Sequence, residues 1–439
     1  MSNVGEQAFR DEITGKPSRY IAVLKWSCAL VVGRLLLACV ITTANFCLAD
    51  PTDDSKSVTR TRSERIESLR KERPGDGVLA FYEAITRIEL GEREAAFALL
   101  QSLQGRKLGL VPVRDTGFEP VWDDPEFQKI REELSHEEPR TPDAPVAFRL
   151  GDPKLIPEGI AYDPDQDRFF IGSIAQRKIV TANRKGEVKV FSKPEDNLDC
   201  VLGLFVDRAQ KQLYAVSTNG FLNEAQTKRR NAVVRYDLKN GRLRNRFEAP
   251  EANQLNDLTI GPDETIYATD SATGTLFRKK PDEKTLTPFG TKSALPGANG
   301  VTLGADGNLY VAISTGIDRI DVSTRAATRL PQPDTVVTGG CDGLYWYMGD
   351  LIGVQNVTNP GRIICIALSD QGTRISGIRV LQSHHHSEFA EPTTGATAGD
   401  IFYVIANSYV GHFQPDRSIK DPGQLKPTAI VAVTLKPMP

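Results

Sequence analysis

The sequence predicts a mainly β protein, a six-bladed β-propeller preceded by a small α-helical hairpin domain. Three observations point there. Helical periodicity is confined to residues 55–135, short β runs with Gly, Asp and Asn turns fill the chain after 145, and one strand-turn-strand unit recurs six times at steps of 43 to 54 residues.

The first 49 residues differ from the rest. Lys16, Arg19, Lys25 and Arg34 precede the apolar run LLLACVITTANFCLA, whose 15 residues are too few for a bilayer and right for the apolar stretch of a signal peptide. Cleavage after Ala49 leaves an exported chain, periplasmic or secreted, with no membrane span after processing. The basic leader is long enough for the true start codon to lie inside it. A membrane anchor over 21–49 is the rival, at the cost of burying Lys25 and Arg34. A lipid anchor at Cys39, in LLAC, is a second, opposed by the apolar run that continues past it. Cys28, Cys39 and Cys47 lie in this leader. Cys200, Cys341 and Cys365 remain, an odd number at spacings that match no zinc or redox motif, so at most one disulfide forms. With 54 Lys and Arg against 56 Asp and Glu, nothing in the bulk charge points to nucleic acid.

Residues 50–140 form the helical segment and its linker. Val78, Leu79, Tyr82, Ile85 and Ile88 fall at helical spacing, LGE at 90–92 interrupts them, and Ala95, Ala96, Leu99, Leu100 and Leu103 resume the pattern. With DDPEF at 123–127, this hairpin resembles a degenerate tetratricopeptide unit. One or two such units cannot bury a core alone, so the hairpin docks on the rest of the chain and offers a surface for a protein contact. The polar, Pro-rich HEEPRTPDAP at 136–145 is the linker.

From 145 to 439 the repeats set the architecture. Aligning the turn GADGNLY (304–310) on YDPDQDRFF, VDRAQKQLY, GPDETIY, YMGDLI and TAGDIFY places Glu158, Leu202, Asn256, Asn299, Asp342 and Glu391 at six strand heads. Repeats of this length describe a propeller whose first strands line a central channel, so the heads form a ring. The last strand, IVAVTL at 430–435, pairs with PVAFRL at 145–150 and closes the circle, which removes the open edges. Five of the six heads are polar, three of them carboxylates. Such a ring repels itself unless a cation occupies it or some acids stay protonated, and Ca²⁺ is the natural guest for Glu, Asp and Asn oxygens.

The strings PEGIAYD, LNDLTIGPDETIYATD, ANGVTLGADGNLYVA and CDGLYW resemble the family of senescence marker protein, gluconolactonase and luciferin-regenerating enzyme, over residues 145–437. The related paraoxonases use a similar Glu, Asn, Asn, Asp set. The resemblance implies Glu158, Asn299 and Asp342 as metal ligands, Asn256 on the metal or the substrate, and Ca²⁺-dependent hydrolysis of a small-molecule lactone or ester with Asp342 as the base that activates water. Two positions depart from it. Gln254 stands where the sugar-lactone enzymes carry an Arg, and Leu202 where paraoxonases carry a His. The alternatives are that each Asn or Asp is a turn former bonded to its own backbone, or that the ion plugs the channel of a non-catalytic binding module.

Other candidates surround the same mouth. Asp270, Ser314, Gln355 and Asn407 end second strands, and Asp270, Asn407 and Glu391 are taken as substrate contacts beside Asn256. HHHSE, from His384 to Glu388, enters blade six as a solvated loop, a proton carrier or a second metal site. There is no Gly-rich phosphate loop, nucleophile elbow or HExxH.

Overall fold

A computed structural model describes residues 54–114 and 116–435. The leader, with its cleavage site and its three cysteines, lies outside the described residues. Four helices come first: α1 (Asp54–Glu72), α2 (Gly77–Glu89), α3 (Arg93–Gln101) and α4 (Pro125–His136). Local chemistry starts two of them. The Asp76 carboxylate accepts Val78 N–H at 3.2 Å ahead of α2. Asp124 accepts Glu126 N–H at 2.9 Å ahead of α4, whose first residue is Pro125. Phe81, Phe97, Phe118 and Phe127 form an aromatic cluster between them. The expected hairpin is therefore α2 and α3 within a four-helix unit. No described helix is long and apolar enough to cross a membrane.

The rest of the described chain is a six-bladed propeller of four-stranded antiparallel sheets. In blade one, β2 (Pro157–Asp163), β3 (Arg168–Ser173), β4 (Lys178–Ala182) and β5 (Val188–Val190) follow in order from the inner strand outward. The inner strands of blades two to five are β6 (Cys200–Asp207), β10 (Leu255–Ile260), β14 (Val301–Leu303) and β18 (Cys341–Tyr347). Blade six is built from both ends of the fold. β22 (Gly395–Ala398), β23 (Ile401–Ile405) and β24 (Ala429–Thr434) are completed by β1 (Val146–Arg149), with Val146 opposite Val431 and Arg149 opposite Ala429. The predicted closure is thus present.

One local distortion recurs at the axis. The pairing of inner to second strand slips by a residue between Pro157 and Ile160, Val201 and Leu204, Leu255 and Leu258, and Cys341 and Leu344. Each slip is a β-bulge that contains the head and the residue after it, and a bulge re-aims the side chain it carries. The second bulge residue is Gly159, Gly203 or Gly343, with Gly300 equivalent in blade four. In these four blades neighbouring inner strands crowd the position, whereas blade three carries Asp257 there. A Cβ on Gly159 would lie 1.9 Å from Leu202 O, and one on Gly300 would lie 2.4 Å from Leu344 N.

Two elements cover the face that carries the heads. The helical unit packs over blade five, where Val337 joins its apolar core. The β23–β24 connection reaches over blades two and three. There Phe413, Val410 and Ile419 join the core between them, Asn223 N–H donates to Pro415 O at 3.0 Å, and Arg417 pairs with Glu224 at 2.7 Å.

The crowding at the axis is testable. Gly159→Ala should lower the free energy of unfolding, measured by denaturant titration, by about 3 kcal/mol, the upper range for overpacking. Gly307→Ala, at a hairpin with φ +76° and nothing within 4 Å of its Cβ, should cost only about 1 kcal/mol for the left-handed backbone. Equal losses would contradict the crowding.

Candidate functional site

Glu158, Leu202, Asn256 and Asp342 occupy one structural position, the first residue of the bulge, and Asn299 stands at the corresponding place just ahead of β14. The four polar ones are sheltered, with exposures of 5, 5, 8 and 8%. Glu391 is not among them. The last hairpin is two residues shorter, pairing Ala398 with Ile401 where blade one pairs Asp163 with Arg168, so counting back from its turn overshoots. Thr393 takes the sixth position. It donates to Glu158 O at 3.1 Å, and the Thr394 hydroxyl donates to the same carbonyl. Glu391 lies upstream with φ +65°, its carboxylate accepting Gly411 N–H at 3.0 and 3.1 Å.

The heads themselves are partnered unevenly. Asn256 donates its amide to Ser271 Oγ at 2.8 Å, which leaves its oxygen as the available end. Asp342 Oδ2 accepts Asn356 Nδ2 at 2.7 Å, and the same amide reaches Pro392 O at 2.8 Å. Glu158 Oε2 and Asn356 Oδ1 are buried without a hydrogen-bond partner. Burial pushes the Glu158 carboxyl well above its usual range, and the Asp342 and Asp257 carboxylates push it further. Asp342 is pushed up to about 6 by burial, against the pull of the Asn356 and Asn299 side chains.

Asp257 was not among the sequence candidates. It stands where four other blades have glycine, and its carboxylate accepts Leu258 N–H at 2.8 Å and, across to blade four, Val301 N–H at 3.1 Å. Burial pushes it up to about 7, with the Asp342 charge adding to the effect. With Tyr345, Gly159 and Gly203 it lines a cavity of about 70 Å³ inside the channel. The signal was present in LNDL, where an acid replaces the repeated glycine.

The remaining candidates have other work. Asp270 is fully buried, and its carboxylate accepts Asn253, Ala272 and Thr273 N–H at 2.6 to 3.0 Å. Asn407 accepts Ala429 N–H at 2.6 Å and holds the β24 entry. Gln355 is fully buried on Gly339 O and Arg362. The histidines are neither solvated nor at the ring. His384 stands 3.0 Å from Glu138 and 2.9 Å from Ser135, in the seam between the helical unit and the propeller. His386 stands 2.9 Å from Ala144 O. Cys200, Cys341 and Cys365 are all buried free thiols.

The donor chemistry of the ring fits a hard cation. Two carboxylates and two amides stand at equivalent positions of neighbouring inner strands, one carboxylate oxygen is bare, and carboxylate with amide oxygens is the set Ca²⁺ takes. Among the described residues no three His, Cys, Asp or Glu side chains come together as a metal-holding group. A cation here therefore depends on the amide oxygens.

No protein-family model matches the chain, and no curated protein matches it. Among solved structures, a gluconolactonase from Xanthomonas campestris is 17% identical over 68% of this chain and 99% of its own, at a TM-score of 0.43. The PQQ-bound aldose sugar dehydrogenase of Streptomyces coelicolor is 14% identical over 67% and 97%, at 0.46. Virginiamycin B lyase from Staphylococcus aureus is 19% identical over 60% and 81%, at 0.42. Likenesses of this size carry nothing about site or substrate.

The buried acids set a pH dependence. Asp342 and Asp257 hold their protons more tightly folded than unfolded, so the stability they contribute falls as pH rises from their ordinary value of 3.8 through about 6 and about 7. In chelator, the wild-type melting temperature should drop more between pH 4 and pH 7 than that of Asp342→Asn. Equal drops would contradict the electrostatics described.

Proposed function

We propose that the ring binds one Ca²⁺ ion through Glu158, Asn299 and Asp342, with Asn256 beside it, and that the protein is a Ca²⁺-dependent hydrolase of a lactone or ester. The observation that carries this reading is the pair of buried carboxyls, Glu158 with a bare oxygen, that share one ring with two amides. A cation there would polarise the carbonyl of a bound substrate and relieve the repulsion between the acids. With the cation beside it, Asp342 would be held ionised, as a general base that takes a proton from water has to be. The Asn356 amide fixes its orientation. Asn256 offers its oxygen to the ion or to a substrate hydroxyl. The near balance of charge and the leader at 1–49 support an exported protein acting on a small molecule.

A second reading, a propeller whose ion is structural, is favoured by the shelter of the ring and by Leu202, which places an apolar side chain with 1% exposure at the second head.

Calorimetry on purified protein should find one Ca²⁺ site, weakened in Glu158→Gln. Asp342→Asn should cut lactone hydrolysis by about 10²-fold or more, the scale of a general base, while the circular dichroism spectrum stays unchanged. Gln254→Arg should raise activity on an acidic sugar lactone by supplying a bidentate partner. Ca²⁺ uptake without hydrolysis of any aldono-, acyl-homoserine or aryl lactone would establish the second reading.

A further inference from the structure

Besides the His384 loop, the helical unit is bonded to the β19–β20 connection at 356–361, between β19 (Asp350–Gln355) and β20 (Arg362–Ser369). That loop carries Asn356, whose amide lies on Asp342 Oδ2 at 2.7 Å and on Pro392 O at 2.8 Å. Asn356 thus spans the heads of blades five and six.

The propeller holds the first half of the loop, where Asn356 and Val357 N–H both donate to Gly340 O at 3.3 Å and Thr358 Oγ1 donates to Gly339 O at 3.1 Å, and the helical segment holds the second half. Val111 N–H donates to Thr358 O at 2.9 Å. Asn359 donates to Gly109 O at 2.8 Å and to Glu138 Oε2 at 3.0 Å. Arg362, which ends the loop, donates to Leu108 O at 3.2 Å and stands 3.6 Å from Glu138 Oε1. Gly109, at φ +69°, admits this approach, since a Cβ there would lie 1.7 Å from Arg362 Nη1. Asn359 is fully buried and Arg362 keeps 2% exposure. Buried amide and charge networks of this kind have few alternative arrangements, because each broken bond leaves a desolvated group unpaired.

We infer that Asn356 is a positioning residue for Asp342, and that the helical unit sets the cation affinity of the ring by fixing the Asn356 loop. The inference rests on the reading of the ring as a cation site. A donor behind a ligating carboxylate keeps one oxygen turned to the ion and favours the ionised form, and loss of such a partner typically weakens metal binding about 10- to 100-fold. Asn356 does this directly. Asn359 acts only through it, since it bonds to the helical segment and has no contact with Asp342.

The test is Ca²⁺ calorimetry on the full chain, with melting temperature measured in parallel. Asn356→Ala should weaken binding by about 10-fold or more, and Asn359→Ala in the same direction by less. The double variant should bind no more weakly than Asn356→Ala alone, because both act along one path. If Asn359→Ala does not fold, Glu138→Gln, which keeps shape and removes the charge facing Arg362 and His384, takes its place. A folded Asn359→Ala or Glu138→Gln with lowered melting temperature and unchanged Ca²⁺ affinity overturns the inference alone, and so do additive losses in the double variant. A wild type that takes up no Ca²⁺ overturns the reading of the ring and this inference with it.

Discussion

Two carboxyl groups kept out of water at the axis, Glu158 and Asp342, are the constraint around which the centre of this propeller is arranged. A buried carboxylate without a compensating charge is expensive, and two together are more so. The fold nevertheless brings them to equivalent positions through the same bulge on blades one and five. The amides of Asn299 and Asn356 offset part of the cost for Asp342. Glu158 has less help, since only its backbone carbonyl is engaged by the threonines of blade six. The contrast with Asp270 is informative. That residue behaves as a turn former, its carboxylate used up by backbone N–H groups, whereas Glu158 Oε2 has no partner.

The covering of the mouth is asymmetric. Over blades two and three the long β23–β24 connection seals the mouth around Phe413 and adds the exposed Arg417–Glu224 pair. Over blade five, beside the apolar contact at Val337, Glu138, Arg362, Asn359 and His384 meet in one buried network. Buried hydrogen-bonded charges fix one register more strictly than exposed pairs do.

Much of this was legible in the chain. Six recurrences of one hairpin were enough to give blade number, inner strands and closure. Four of the five polar heads fell in place, Asp342 among them although its hairpin, pairing Tyr347 with Asp350, is as short as the one that misled the count at Glu391. Glu391 was misplaced for a definite reason: a shortened hairpin breaks the counting rule, and no composition signal marks it. Asp257 was passed over because the eye follows the head rather than the glycine beside it. The roles of His384, Asp270 and Asn407 depend on contacts between segments hundreds of residues apart or on backbone geometry, and neither leaves a pattern in one sequence.

The pairing of β1 with β24 has a kinetic consequence. Val146 meets Val431, so the contact that seals the ring is almost as non-local as the propeller permits. Loop-closure entropy has to be met before that contact forms, and topologies dominated by such contacts fold slowly. Blades two to five are each continuous in sequence and can collapse as they emerge. Blade six waits until nearly the whole chain is present. Once sealed, the same contact resists opening, since freeing the C-terminal strand means parting β24 from both β1 and β23. Slow assembly and slow unravelling are therefore two aspects of one strand pair.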